Sequence, residues 1–205
     1  MSTPRIQALN PPYADSVQQD FNRIMPPGIP PLKLFRTVGQ NPRVLSRMIA
    51  GGLLDKGSIS VRAREIMILR TCALCGAEYE WGVHVAAFGT KAGFTPTQVA
   101  ATVHEDTQAW PAQDSVLIRL ADALHATSSV DDTLWVELKT FYTDEQLIEL
   151  VMLAGLYHAV SYIVNTTKLE LETAAPHFDS YAQYCPGKVA GAARNCLSEL
   201  DKTFF

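Results

Sequence analysis

The segment 64–70 is Arg64-Glu65-Ile66-Met67-Ile68-Leu69-Arg70, and the segment 78–84 is Glu78-Tyr79-Glu80-Trp81-Gly82-Val83-His84. Both are rich in apolar residues and lack the alternation of a strand, so they predict two buried helices. On an ideal helix Glu80 and His84 lie one turn apart on the same face. If the two helices pack together, Glu65 joins them and three ionisable groups meet in apolar surroundings. Buried ionisable groups are costly unless paired, so this cluster is a candidate site.

Helix-start signals recur along the rest of the chain. N-cap residues, some followed by proline or by a capping-box glutamine, occur at Asn41, Ser60, Thr95, Asp131 and Thr143. No alternating strand pattern competes with them. The sequence therefore predicts an all-α fold with about seven or eight helices.

The ends of the chain differ in composition from its middle. Residues 1–31 are rich in proline and polar residues, and we expect an arm there with one short helix at 15–24. A compact domain is expected at 32–172. Small and polar residues dominate 173–205, which predicts a C-terminal arm with one weak helix at about 189–200.

Composition and charge exclude several classes of protein. The 205 residues are 47% hydrophobic, enough for one compact core, and the net charge is −4. No basic block favours nucleic acid. The N-terminus lacks the apolar stretch of a signal peptide, and the apolar run at 150–164 is short for a bilayer. We therefore expect a cytoplasmic protein without a membrane partner, whose cysteines form no structural disulfides.

The two segments, followed by Ala92-Gly93-Phe94-Thr95, resemble the carboxymuconolactone decarboxylase family, which includes alkyl hydroperoxidase D. The likeness is specific over residues 60–103 and weaker as far as Leu171. It implies the compact helical fold of the alkyl hydroperoxidase D type over 32–172.

The resemblance also bears on the chemistry. The peroxidase branch of that family has a glutamate and then a C-x-x-C-x-x-x-H motif, whose first cysteine follows the glutamate by twelve residues. Counted from Glu65, the two cysteine positions fall on Ala77 and Glu80, and the histidine falls on His84. The chain therefore resembles the branch that lacks the redox cysteine pair in the motif.

Glu65, Glu80 and His84 are the predicted catalytic residues. A histidine of ordinary pKa transfers protons near neutral pH, and a nearby glutamate orients it. We expect decarboxylation or a related proton transfer on a small organic acid or lactone, with no metal and no cofactor.

Three further residues are predicted to line a substrate pocket. Tyr79 and Trp81 flank the cluster, and Cys72 shares a helix face with Glu65. Cys72 and Cys75 lie near the C-terminal end of their helix, where the dipole disfavours a thiolate. Both are therefore expected to be reduced and buried.

The sequence leaves alternatives open. The cluster can be a buried polar network that locks two helices together, and E-x-x-x-H with Glu65 also offers three metal ligands. Cys72 and Cys75 offer a thiol-dependent hydroperoxide reductase. A non-catalytic oligomeric binding protein is the third possibility.

The helix expected from Thr143 onward carries more apolar surface than a small domain can cover. This excess of apolar surface predicts a homo-oligomer, either a dimer, a trimer or a hexamer. We expect both arms to wrap around a neighbouring subunit. His158, Ser161, Tyr162 and Asn165 share one face of it and are expected at a subunit interface or in support of the site. His125 carries no special signal.

Overall fold

The computed structural model describes residues 3–104 and 109–184, and these residues form α-helices without any β-strand. The α-helices are α1 (Asp15–Ile24), α2 (Lys33–Val38), α3 (Pro42–Ala50), α4 (Val61–Leu74), α5 (Glu78–Phe88), α6 (Pro96–Val103), α7 (Ala112–Thr127), α8 (Asp132–Phe141) and α9 (Asp144–Thr167). A 3₁₀ helix follows at Phe178–Tyr184. The prediction of an all-α fold is confirmed, and α2–α9 lie within residues 32–172.

Local capping explains where these helices begin. The Asn41 and Ser60 side chains accept hydrogen bonds from backbone amides in the first turns of α3 and α4. Thr95 and Thr143 each form a complete capping box with a glutamine three residues later. Each cap satisfies amides that the helix itself leaves free, which fixes the helix start.

α4 is the centre of the domain and packs against α5, α6, α7 and α9. All residues from Ala63 to Cys72 are buried, so the helix has no solvent face. The following helix, α5, is buried from Tyr79 to Ala87. This packing explains why neither segment shows an amphipathic pattern in the sequence, and it places Glu65 beside α5.

The N-terminal segment packs against its own domain. α1 lies on α3, and Val17 and Phe21 are buried. Leu9 and Arg36 exchange hydrogen bonds between the segment and α2. The segment is thus covered within one chain, whereas the sequence favoured contact with a neighbour.

Residues 173–184 also pack on the domain. The Trp81 ring lies 5.0 Å from the Phe178 ring and 5.7 Å from the Tyr181 ring. Gly82 permits this contact, because a Cβ there would lie 2.5 Å from the carbonyl oxygen of Pro176. The helix predicted at 189–200 lies outside the described residues.

α9 is longer than the apolar run that the sequence shows. It has 24 residues and ends at Thr167, and the following residue, Lys168, caps it in the left-handed conformation with a φ of 54°. By length and composition alone it is long enough to cross a membrane, a test that core helices of water-soluble proteins also pass. In the sequence, the apolar run at 150–164 is too short to span a bilayer. That argument does not apply to the whole of α9, which is longer than the run.

Candidate functional site

Glu65 and His84 form a buried ion pair between α4 and α5. Glu65 Oε2 lies 2.7 Å from His84 Nδ1, and the side chains are 0% and 3% exposed. Arg64 Nε donates to the other oxygen, Oε1, at 2.8 Å, and Arg64 Nη1 donates to the carbonyl oxygen of Leu54 at 2.7 Å. Glu65 is therefore held from both sides, which fixes the orientation of the His84 ring.

The other ring nitrogen of His84 faces α9 and the start of α5. Its Nε2 lies 2.9 Å from the Tyr157 hydroxyl and 3.5 Å from Glu80 Oε1. The structure thus brings Glu65, Glu80 and His84 together, as the helical spacing and the family resemblance led us to expect. Tyr157 is a fourth member that the sequence did not reveal. The catalytic role of these residues remains a prediction.

A protonated His84, together with Arg64, balances the two carboxylates of the cluster. Burial by itself lowers the pKa of His84, because it removes water from the charged ring. The charge and hydrogen bond of Glu65, together with Glu80, outweigh burial and raise the pKa of His84 to about 9. His84 is therefore an imidazolium at neutral pH. This differs from the expectation, based on its ordinary pKa, that it would titrate near neutrality.

Tyr157 stays a neutral phenol beside this cation. Burial raises the pKa of Tyr157 well above its usual value, and the carboxylates of Glu80 and Glu65 raise it further. Because both ring nitrogens of the imidazolium carry protons, His84 Nε2 donates to the Tyr157 oxygen. The hydroxyl hydrogen of Tyr157 is then available to another acceptor.

A cavity of about 340 Å³ adjoins the cluster, and Glu80 and Tyr157 are part of its lining. Most of the remaining wall is apolar and comes from α2, α3 and α9, with Phe35, Met48 and Val160 as examples. A small, largely apolar molecule fits such a cavity. Glu80 and Tyr157 are the two members of the cluster that such a molecule can contact.

Glu80 Oε2 is the unsatisfied atom of the site. It is buried and has no hydrogen-bond partner among the described residues. A buried carboxylate oxygen without a partner is costly, so such an atom calls for a donor from elsewhere. A bound molecule in the adjoining cavity can supply that donor.

Tyr79 and Trp81 have structural partners outside the cavity lining. The Tyr79 hydroxyl donates to Glu172 at 2.7 Å and accepts from the amide of Leu34 at 3.0 Å. Trp81 Nε1 donates to Thr102 Oγ1 at 2.9 Å. These contacts tie α5 to its neighbours, so the pocket role expected for both residues is not supported by their positions.

Cys72 also lies outside the cavity lining. It is free and fully buried, and Ser161 lies beside it. Burial and the charge of Glu80 raise the pKa of its thiol well above the usual value. Cys75 is free too but only half-buried, which is less than the sequence suggested.

The polar residues of α9 have two different surroundings. Ser161 is buried and donates to the Tyr157 carbonyl oxygen at 2.7 Å, so it supports the helix that carries Tyr157. His158, in contrast, meets His125 of α7 at 3.1 Å. No local pattern in the sequence distinguishes His125, because its partner lies on another helix.

The geometry favours proton transfer over metal binding at Glu65, Glu80 and His84. A histidine ligand must offer a nitrogen lone pair. Here Glu65 occupies one ring nitrogen and Tyr157 the other, and the two carboxylates favour the protonated ring. The cluster is therefore suited to donating a proton through Tyr157 or accepting one at Glu80.

The fold is shared with several solved structures. The alkyl hydroperoxidase AhpD core of an uncharacterized peroxidase-related protein from Ralstonia eutropha JMP134 is 16% identical, with a TM-score of 0.72 over 93% of this chain and 100% of that one. A peroxidase-related protein from Silicibacter sp. TM1040 is 18% identical, with a TM-score of 0.72 over 87% and 99%. A variant of the debrominase Bmp8 in complex with 2,3,4-tribromopyrrole is 17% identical, with a TM-score of 0.70 over 89% and 97%. At these identities the likeness shows the fold alone.

The sequence comparisons give the family. No curated protein matches this sequence. The sequence model of the carboxymuconolactone decarboxylase family matches residues 42–123, which include α3 to α6, much of α7, and the Glu65, Glu80 and His84 positions. This match shows that residues 42–123 belong to the carboxymuconolactone decarboxylase family, and the fold of the chain is shared with alkyl hydroperoxidase D-like structures.

Proposed function

We propose that the protein is an enzyme that transfers a proton to or from a small organic acid or lactone bound in the cavity beside Glu80 and Tyr157. Decarboxylation through an enol-like intermediate is the reaction that we favour. The observation that best supports this proposal is Glu80. Its Oε2 is buried beside the cavity without a hydrogen-bond partner among the described residues, and its Oε1 lies 3.5 Å from Nε2 of the charged His84.

The proton has a continuous route. When a substrate carboxylate leaves as carbon dioxide, its bonding electrons remain on carbon as an enolate. The Tyr157 hydroxyl gives its proton to that carbon, and His84 Nε2, 2.9 Å away, gives its own proton to the Tyr157 oxygen. Solvent then reprotonates His84. Glu65 and Glu80 stabilise the imidazolium before transfer.

The cavity supports a small substrate. Its volume of about 340 Å³ lies at the small end of ligand sites, and its wall is largely apolar. Arg23 is a cation of the lining, partnered by Asp20 at 3.3 Å, and it can orient a carboxylate. The debrominase of the same fold holds a small ring compound, 2,3,4-tribromopyrrole, which is compatible with a small cyclic ligand.

The surroundings of Cys72 do not favour a thiol-dependent hydroperoxide reductase that uses Cys72 and Cys75. Peroxide reduction needs an accessible thiolate. Cys72 is fully buried, and the raised pKa of its thiol keeps it protonated. A purely non-catalytic role is disfavoured as well, because the cluster adjoins a cavity.

The proposal is tested by incubating the protein with lactones, keto acids and organic hydroperoxides in D₂O. A decarboxylated product is expected to carry one deuterium at the carbon that lost carbon dioxide, measured by mass spectrometry. Glu80→Gln removes, with little change of shape, a carboxylate that helps to keep the proton donor His84 protonated, and it is expected to lower turnover about 100- to 10,000-fold.

Glu170→Gln is the matched control. Glu170 is exposed and lies outside the cavity lining, and its Oε2 is 3.7 Å from Lys33 Nζ. This variant is expected to keep wild-type turnover. Turnover by Glu80→Gln within twofold of wild type would refute the assignment. Consumption of hydroperoxide alone, stopped by Cys72→Ser, would replace it with the thiol function.

We also propose that the protein is a cytoplasmic homo-oligomer, joined through the outer face of α9. Ile148, Met152 and Tyr162 are 67%, 63% and 64% exposed there, an unusual surface for a monomer. Light scattering at micromolar concentration is expected to give a dimer or larger. Met152→Lys is expected to dissociate it, and a monomeric wild-type chain would contradict the proposal.

A further inference from the structure

A second cluster of reactive side chains lies apart from His84, where three helices meet. Cys75 ends α4, His125 lies in the last turn of α7, and His158 is on α9. His125 Nδ1 lies 3.1 Å from His158 Nε2 and 3.9 Å from Cys75 Sγ. All three donor atoms lie within 4.8 Å of one another.

The hydrogen bonds around the cluster orient its donors. His158 Nδ1 lies 2.9 Å from the Ala154 carbonyl oxygen, which can only accept, so Nδ1 carries the proton. In the neutral ring Nε2 then has a free lone pair, and this is the nitrogen that faces His125. Metal-bound histidines have the same arrangement, one nitrogen on a carbonyl and the other on the ion.

The end of α4 is held in place as well. The Asn165 side-chain amide of α9 donates to the Cys75 carbonyl oxygen at 2.8 Å. This bond fixes the backbone of Cys75 next to α9, and its half-buried thiol faces His125. The cluster is therefore built on three packed helices rather than on a loop, which favours a defined geometry.

The spacing of the donors fits a tetrahedral ion. With zinc bonds of about 2.05 Å to nitrogen and 2.3 Å to sulfur, two nitrogen ligands lie about 3.3 Å apart, and nitrogen and sulfur about 3.6 Å. The observed separations are close to these values: the histidine nitrogens lie 3.1 Å apart, and His125 Nδ1 lies 3.9 Å from the thiol sulfur. The third pair, His158 Nε2 and Cys75 Sγ, lies within 4.8 Å, so ion binding has to draw these two atoms no more than about 1.2 Å closer.

We propose that Cys75, His125 and His158 bind a zinc-class transition-metal ion, independently of the Glu65–His84 site. One thiolate and two imidazoles are the ligands that Zn²⁺ prefers. Three protein ligands leave the fourth position for water or a small anion. A cavity of about 460 Å³, lined by both histidines and Tyr162, gives room for that fourth ligand.

The test is a titration of the full-length, chelator-treated protein with Co²⁺, which replaces Zn²⁺ and reports its ligands by absorption. One equivalent is expected to bind, with intense visible bands of a tetrahedral ion and a near-ultraviolet thiolate-to-cobalt band. Addition of Zn²⁺ is expected to remove both.

Single variants identify the ligands. Cys75→Ser is expected to abolish the near-ultraviolet band, and His125→Ala and His158→Ala to weaken Co²⁺ binding by more than the roughly 10- to 100-fold that loss of an outer hydrogen-bond partner causes. His104→Gln changes an exposed histidine at the end of α6 and is expected to bind like the wild type. A thiolate band that persists in Cys75→Ser, or no binding by the wild type, would overturn the proposal.

Alkylation of the unmodified wild-type chain gives a second readout that needs no variant to fold. Zn²⁺ is expected to slow the reaction of Cys75 with iodoacetamide at least about tenfold, as followed by peptide mass spectrometry, because a metal-bound thiolate is shielded. An unchanged Cys75 alkylation rate at saturating Zn²⁺ would count equally against the site.

Discussion

His84→Ala is expected to lower the turnover of a substrate that reacts beside Glu80 and Tyr157 by about 100- to 10,000-fold. The change removes the imidazolium that donates to the Tyr157 oxygen and that, together with Arg64, balances two buried carboxylates. Leaving a buried charge without its partner costs about 3–5 kcal/mol of stability. Turnover must therefore be measured at a temperature at which circular dichroism shows the variant to be folded.

Cys72→Ser is the informative comparison for this variant. Cys72 is buried on α4 within the electrostatic reach of Glu80, but it is outside the cavity lining. We expect the serine variant to keep turnover nearly intact and to lose some stability. If Cys72→Ser stops the reaction while His84→Ala merely slows it, the proton-transfer account is replaced by a thiol mechanism.

The free energy of unfolding is expected to fall as the pH rises from about 6.5 towards 9 and above. His84 has a pKa of about 9 in the folded protein and about 6.5 in the unfolded chain. The folded state therefore binds more protons in this window. The stabilisation is fully present below about pH 6.5 and is lost as the pH rises through 9, roughly 3 kcal/mol in all.

Urea unfolding at a series of pH values measures this effect, and His84→Gln is its control. The buried phenols and the Cys72 thiol also have raised pKa values, so they add to the loss of stability at high pH. The quantity to compare is therefore the difference between wild type and His84→Gln. A difference that stays constant from pH 6.5 to 9.5 would mean that His84 is not stabilised as a cation.

Local sequence signals predicted the parts of the structure that depend on neighbours in the chain. The starts of α3, α6 and α9 follow from caps at Asn41, Thr95 and Thr143. The approach of Glu80 to His84 follows from the helical repeat. The position of Glu65 needed the family resemblance, because its partner is on the next helix.

Contacts between distant segments were not predictable in the same way. Tyr157 lies 73 residues from His84, in a helix whose apolar residues suggested only packing. His125 and His158 are 33 residues apart and meet because α7 and α9 both pack on α4. Trp81 was assigned to a pocket because it flanks the cluster in the sequence, and its contacts with Phe178 and Thr102 were not predictable because both residues are remote in sequence.

The charge state of His84 is the central claim, since it determines both the proton donor and the stability of the site. NMR titration of the His84 ring, assigned by its loss in His84→Gln, measures it without any substrate. The account predicts deprotonation near pH 9 in the wild-type protein, and a lower pKa in Glu80→Gln, because Glu80 supports the charged ring. A wild-type pKa at or below the ordinary value of about 6.5 would contradict the account.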